Sequence, residues 1–118
     1  MLKELKNARQ NIDESRRIFV DDFFDLYVWF EPDDSISGFQ LCYGESNDRK
    51  ALTWREGTGY SHNSIELGES KIGKLKSTPI LISDGHFNKD VILNSFAKES
   101  ANVDRKIRDF VLERLTNY

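Results

Sequence analysis

The sequence has one cysteine, two prolines and no long apolar run among its 118 residues. The lone Cys42 excludes an internal disulfide, whereas small secreted domains usually carry even numbers of cysteines. The longest fully apolar run, Leu26–Phe30, is far shorter than the roughly 18 residues that a membrane-spanning helix needs. Residues 1–17 contain no apolar segment of the signal-peptide type. These absences predict a cytoplasmic domain with no membrane association.

An excess of positive charge is also absent. The chain has 17 basic and 20 acidic residues, and its formal net charge is −3. Attraction to phosphates supplies most non-specific nucleic-acid binding, so proteins that bind in this way are usually basic. The composition therefore argues against nucleic acid as a partner.

The charges are unevenly distributed along the chain. Residues 21–48 include eight acidic side chains and no Lys or Arg, whereas residues 49–83 include six basic and three acidic side chains. Most of these charges are expected in turns and on a solvated face. The alternative is an acidic strip that meets a cationic partner or ligand.

The clearest structural pattern is a period of two in Phe24–Glu31, which is typical of a half-buried strand. Its even positions are apolar: Phe24, Leu26, Val28 and Phe30. Its odd positions are amphipathic or charged: Asp25, Tyr27, Trp29 and Glu31. The pattern predicts that the even set lies in the core and the odd set lies on a more polar face.

Further strands are predicted on both sides of this one. The candidates are Arg17–Val20, Ser37–Tyr43, Lys50–Glu56 and Pro79–Ser83. Short polar turns at 32–35 and 45–48 favour antiparallel pairing, because parallel strands need a long crossover. Residues 57–77 are rich in Gly and Ser and are predicted to be a mobile loop region that includes a short strand near His62–Leu67.

Helical spacing of apolar residues marks both ends of the chain. Residues 1–16 have only a thin apolar stripe and predict a weakly held N-terminal helix. Two stronger helices follow the last strand, with Asn88 and Asn102 as candidate N-caps. The prediction is one α+β domain over residues 1–118. It has a mainly antiparallel sheet of four or five strands, with the two C-terminal helices packed on one face.

Four segments of the chain resemble a family of small bacterial proteins of uncharacterised function. They are FFDLYVWFE (23–31), GFQLCYG (38–44), ALTW (51–54) and TPILISDG (78–85). The resemblance covers most of the chain from Arg17 onward and implies a stand-alone domain of this length. It implies no activity, cofactor or catalytic residue.

The row Asp25, Tyr27, Trp29 and Glu31 is the most suggestive candidate site. Tyr and Trp are enriched at interface hot spots because they combine a large rigid surface with one polar group. If helices leave this face uncovered, it is an aromatic–acidic binding platform. If helices or the N-terminal segment cover it, the aromatic residues are part of the core.

A second candidate site involves His62, His86 and Asp84. An imidazole oriented by a carboxylate can serve as a general base, and the three groups with Glu66 or Glu69 could also hold a metal ion. No recognised ligand spacing supports either role, and Asp84-Gly85 is a common turn pair. The alternative to a catalytic or metal-binding role is that this segment is a turn that precedes a helix.

Two other groups have structural explanations that we prefer. Cys42 lies in an acidic region that would raise the pKa of its thiol, so it is predicted to be a buried structural residue. Asp21, Asp22 and Asp25 could bind a hard cation, but a turn between two strands explains them as well.

The sequence does not determine the function. We expect a non-enzymatic binding or regulatory module that contacts a protein partner, or a second copy of itself, through the aromatic–acidic face. The alternative is a small hydrolase-like or metal-dependent enzyme built around His62, His86 and Asp84. No cofactor is predicted.

Overall fold

A computed structural model describes residues 1–5, 16–45, 48–66, 80–83 and 88–118. The strands are β1 (Lys3–Glu4), β2 (Arg16–Val20), β3 (Phe24–Phe30), β4 (Ile36–Glu45), β5 (Asp48–Arg55), β6 (Gly59–Glu66) and β7 (Ile80–Ser83). The helices are α1 (Lys89–Glu99) and α2 (Arg105–Thr116). No helix in these ranges has the length and apolar character needed to span a membrane.

The sheet is an antiparallel meander in which each strand pairs with its neighbours in the chain. The predicted α+β class, antiparallel pairing and two C-terminal helices are confirmed. The predicted strand number is wrong, because the described residues form seven strands, of which β1 comprises two residues. Strand β6 occupies part of the 57–77 interval, which was predicted to be a loop region with a short strand near His62–Leu67, and the observed strand begins earlier, at Gly59. Its residues are mostly polar and lack the apolar alternation by which strands are recognised.

The N-terminal helix predicted over 1–16 is not seen in the described residues of that segment, which are 1–5 and 16. Lys3–Glu4 is a strand, and the backbone N–H of Leu5 donates to Ile18 O at 2.8 Å. Leu2 is fully buried, and its N–H donates to Glu99 O at the end of α1. Pairing with β2 and α1 thus replaces helical hydrogen bonds at residues 2–5, whereas positions 6–15 of the predicted helix lie outside the described residues.

The core lies between one face of the sheet and the two helices. Phe24, Leu26 and Val28 are buried there, as the period of two predicted. The Phe24 ring meets Phe96 of α1 at a centroid distance of 5.7 Å, and the Phe39 ring meets Phe110 of α2 at 6.3 Å. The helices therefore cover the side of the sheet that carries the even residues of β3.

The helix starts differ in part from the sequence prediction. Asn88 precedes α1 as predicted, but its side chain makes no capping hydrogen bond. The cap of α2 is Asp104 rather than Asn102, because the Asp104 carboxylate accepts a hydrogen bond from the Lys106 N–H at 3.0 Å. Carboxylates at this position satisfy an N–H group that the helix itself leaves unpaired.

Candidate functional site

Side chains of β2 to β6 that point away from the helices form a second surface, here called the open face. Directly paired residues of antiparallel strands point to the same side of the sheet. The register therefore extends the odd positions of β3 into rows that cross several strands. The described ring contacts of α1 and α2 all involve the opposite side, where Phe24, Phe39 and Trp54 lie.

The first row of the open face is centred on Trp29. Trp29 pairs with Arg16 of β2 and with Gly38 of β4, and Gly38 pairs with Arg55 of β5. The Arg55 guanidinium lies over the Trp29 ring, with its Cζ atom 4.4 Å from the ring centroid. This is a cation–π stack that spans the intervening strand.

Gly38 makes the stack possible because it has no side chain. A Cβ atom at this position would lie 3.1 Å from Arg55 Cγ and 2.7 Å from the Trp54 carbonyl oxygen. The Arg55 side chain therefore passes across Gly38 to Trp29. The row therefore has four members, one from each of the strands β2 to β5. In this order they are Arg16, Trp29, Gly38 and Arg55.

The second row contains Ile18, Tyr27, Gln40 and Thr53. Tyr27 is half-buried and forms no hydrogen bond with the other described residues, so its hydroxyl remains available to a partner. Burial raises the pKa of the Tyr27 phenol, and Asp25 adds to the rise while Arg16 and Arg49 oppose it. The phenol is therefore a neutral hydrogen-bonding group at physiological pH.

The third row consists of Val20, Asp25, Cys42 and Ala51, and its carboxylate is paired with an arginine. Asp25 Oδ2 accepts a hydrogen bond from Arg49 at 3.0 Å, and Arg49 also donates to the backbone oxygens of Gly44 and Phe23. Asp25 is thus part of a structural clamp. Of the predicted binding residues, Tyr27 and Trp29 share the open face with partial exposure, Asp25 is neutralised, and Glu31 is exposed just beyond β3.

Sequence reasoning missed the arginines of this face. Arg16, Arg49 and Arg55 come from β2 and β5 and reach the face only through the strand register. The sequence does contain a signal for Arg55. Residues 45–48 are predicted to form a short turn between the predicted strands Ser37–Tyr43 and Lys50–Glu56, and pairing the two strands outward from this turn places Arg55 opposite Gly38. The alternation of Lys50–Glu56 then assigns Arg55 to the side away from Leu52 and Trp54.

Cys42 is buried in the third row beside Asp25, as predicted. Burial raises the pKa of its thiol to about 11; Asp25 adds to the rise and Arg49 opposes it. Cys42 is therefore a protonated structural residue at neutral pH.

His62 lies on the helix side of the sheet. It is 6% exposed, and its Nε2 is 2.6 Å from the Tyr43 hydroxyl in a buried, stacked pair. His86 and Asp84, its predicted catalytic partners, lie outside the described residues, as does Glu69. The burial and bonding of His62 favour a structural role for this imidazole.

The acidic residues near Asp21 line an open cleft of about 630 Å³ between the β2–β3 turn and the end of α1. Asp21 Oδ1 accepts hydrogen bonds from the backbone N–H groups of Phe23 and Phe24, at 2.8 and 2.7 Å. Turn formation thus explains this carboxylate. Across the described ranges, no cluster of three or more His, Cys, Asp or Glu side chains could hold a metal ion.

Comparisons of the chain with models of protein families, with curated proteins and with solved structures give no match.

Proposed function

We propose that this protein is a non-enzymatic binding module that contacts a polypeptide partner through the Trp29 and Tyr27 side of its sheet. The observation that carries the proposal is the Arg55–Trp29 stack, at 4.4 Å, on the side of the sheet opposite the helices. The proposal keeps the aromatic residues predicted from the sequence and replaces the acidic surroundings by basic ones.

Rigidity supports a binding role for this surface. Trp29 and Tyr27 lie on β3, which is hydrogen-bonded to β2 on one side and β4 on the other. The stacked guanidinium further restricts the indole. A side chain that is already ordered loses little conformational entropy on association, and this benefits affinity.

The chemical character of the Trp29 and Tyr27 side chains also supports a binding role. An indole and a phenol offer large apolar surfaces, and each keeps one polar atom for a hydrogen bond. Such residues frequently dominate the binding energy of protein interfaces. Gln40 and Thr53 in the neighbouring row supply further donors and acceptors for a polypeptide.

The substitution Trp29→Ala tests the proposal. We expect it to weaken binding of the partner by at least about 30-fold, since truncating a hot-spot residue costs about 2 kcal/mol or more. The immobilised protein and its Trp29→Ala variant would be compared for partners retained from cell extract, with circular dichroism to confirm folding.

Val91→Ala is the matched control, because Val91 is an apolar residue of α1 that is 55% exposed. A polypeptide retained by the Val91→Ala variant and lost from the Trp29→Ala variant supports the proposal. Equal retention by both variants would contradict it.

A further inference from the structure

Two cations flank Trp29 on the open face, and neither is neutralised by a described carboxylate. Arg16 and Arg55 belong to the same row as Trp29 and form no ion pair within the described residues. The other two sheet arginines are paired, Arg17 with Glu4 at 2.9 Å and Arg49 with Asp25 at 3.0 Å. Trp29 is thus bracketed by guanidinium groups that can accept an external anion.

The Arg55 guanidinium is positioned over the Trp29 ring, with its Cζ atom 4.4 Å from the ring centroid. Its N–H donors form a fixed planar fork. This geometry suits a carboxylate, which a guanidinium binds through two parallel hydrogen bonds. An apolar group on the Trp29 edge and a carboxylate on Arg55 can therefore be contacted together.

The charge of this face differs from that of the whole chain. Arg16, Arg49 and Arg55 point to the open face, and Asp25 is the carboxylate that β3 contributes there. Much of the acidic charge of segment 21–48 lies instead in turns, at Asp21, Asp22, Asp33 and Asp34. The face is locally positive although the chain carries a net charge of −3.

This charge distribution selects the occupant. Two copies placed face to face would oppose rows of arginine, which costs energy through like-charge repulsion. A nucleic acid would experience the negative net charge of the domain and would find two separated cations rather than a continuous basic track. A short acidic segment of a protein partner fits two guanidinium groups with an aromatic side chain between them.

We infer that the partner of the open face is an acidic polypeptide segment whose carboxylates pair with Arg16 and Arg55 around an apolar side chain packed on Trp29. The inference rests on the proposed function and specifies the chemistry of the partner. The Arg55 guanidinium lies over Trp29, which pairs directly with Arg16, so the two charged groups are closer together than the three strand spacings between their Cα atoms. An extended chain advances about 3.4 Å per residue, so carboxylates on the two sides of one apolar residue, about two to four positions apart, match this arrangement.

The experiment titrates the protein with a blocked peptide of sequence Asp-Glu-Phe-Asp-Glu and with its uncharged counterpart Asn-Gln-Phe-Asn-Gln. Calorimetry on the unmodified chain gives one readout. Trp29 emission in a Trp54→Phe variant gives a second, since Trp54 lies on the other side of the sheet. We expect saturable binding of the acidic peptide alone, weakened by added salt.

Arg16→Gln and Arg55→Gln are each expected to weaken this binding about tenfold, as the loss of one charge-assisted hydrogen bond implies. The control is Arg105→Gln, which removes the same charge from a side chain of α2 that is 90% exposed. It should leave the affinity unchanged.

The inference would be overturned by equal affinity for the two peptides, by equal effects of the three arginine variants, or by arginine-dependent binding of single-stranded oligothymidine without peptide binding. A dimer seen by analytical ultracentrifugation and lost in Trp29→Ala would assign the face to a second copy and would also overturn the inference.

If Trp29→Ala removes a captured partner while the acidic peptide does not bind, the proposed function stands and the inferred partner chemistry fails. If Trp29→Ala retains every captured partner, the proposed function itself fails.

Discussion

At the scale of single residues, environment decides the chemistry that a side chain can perform. His62 and Cys42 are reactive residue types, yet both are buried, at 6% and 7% exposure. His62 is bonded to Tyr43, and Cys42 lies beside the paired carboxylate of Asp25. By contrast, Trp29 and Arg55 remain accessible and hold each other in place.

The thiol of Cys42 provides a test of this environment. Its pKa is raised from 9.0 to about 11, so at pH 7 to pH 8 the native protein contains roughly 100-fold less thiolate than a protein with an ordinary cysteine would. We therefore expect Ellman's reagent to react with the native chain at least about 100-fold more slowly than with the chain in denaturant.

The sign of the pH dependence follows from the same shift. Because the folded pKa lies above the unfolded value, burial of the neutral thiol contributes stability below about pH 9 that is lost as the pH rises through about 11. Fast, denaturant-independent labelling at pH 8 would contradict the burial of Cys42.

At the scale of elements, the sequence predicts a strand well when one side is apolar and the other polar. The even and odd positions of β3 separate as expected, and the β3–β4 turn uses Asp33, whose carboxylate accepts from the Ser35 N–H at 3.0 Å. β6 was harder to predict because its residues are mostly polar, and its strand geometry depends on pairing with β5. Residues 2–5 have helical spacing, yet tertiary hydrogen bonds draw them into the sheet.

The helix caps allow a matched comparison between α2 and α1. Asp104→Ala should lower the free energy of unfolding by about 1 kcal/mol, because it removes the hydrogen bond from the Lys106 N–H. Asn88→Ala should cost less, since Asn88 makes no side-chain cap. Urea denaturation monitored by circular dichroism measures both.

Asp104 also faces Arg17 at 3.4 Å, so an Asp104→Ser variant separates the two roles. Serine keeps a capping oxygen and loses the charge, and it should retain most of the stability. Equal losses for Asp104→Ala and Asn88→Ala would contradict the assigned cap.

At the scale of the whole molecule, the rows of the open face combine residues that are distant in the chain, so predicting them requires the pairing of several strands as well as the alternation within each strand. Arg16, Trp29 and Arg55 become neighbours only after three strand pairings are set. The sequence of one strand shows which of its residues share a side, but it does not show which charged residues the neighbouring strands place beside them. The alternation of β3 alone therefore predicts that Tyr27 and Trp29 share one side of the sheet, whereas the placement of Arg16 and Arg55 beside Trp29 requires the register.

Hydrogen exchange should show where this sheet is most stable. The central strands β4 and β5 pair on both sides along their length, whereas β1 pairs at two residues. We expect the amides of Leu41 and Leu52 to exchange slowest and those of Lys3 and Glu4 to exchange fastest. Mass spectrometry or NMR would measure this order, and uniform rates across the sheet would contradict it.

The sequential strand order also has a consequence for biosynthesis. Each hairpin can form as the ribosome delivers it, since every strand pairs with the one made just before it. The apolar face of the nascent sheet, which includes Phe24 and Phe39, is not covered by α1 and α2 until these helices leave the ribosomal exit tunnel. A chain truncated before codon 88 would thus expose this apolar face, and we expect such a fragment to aggregate or to bind chaperones.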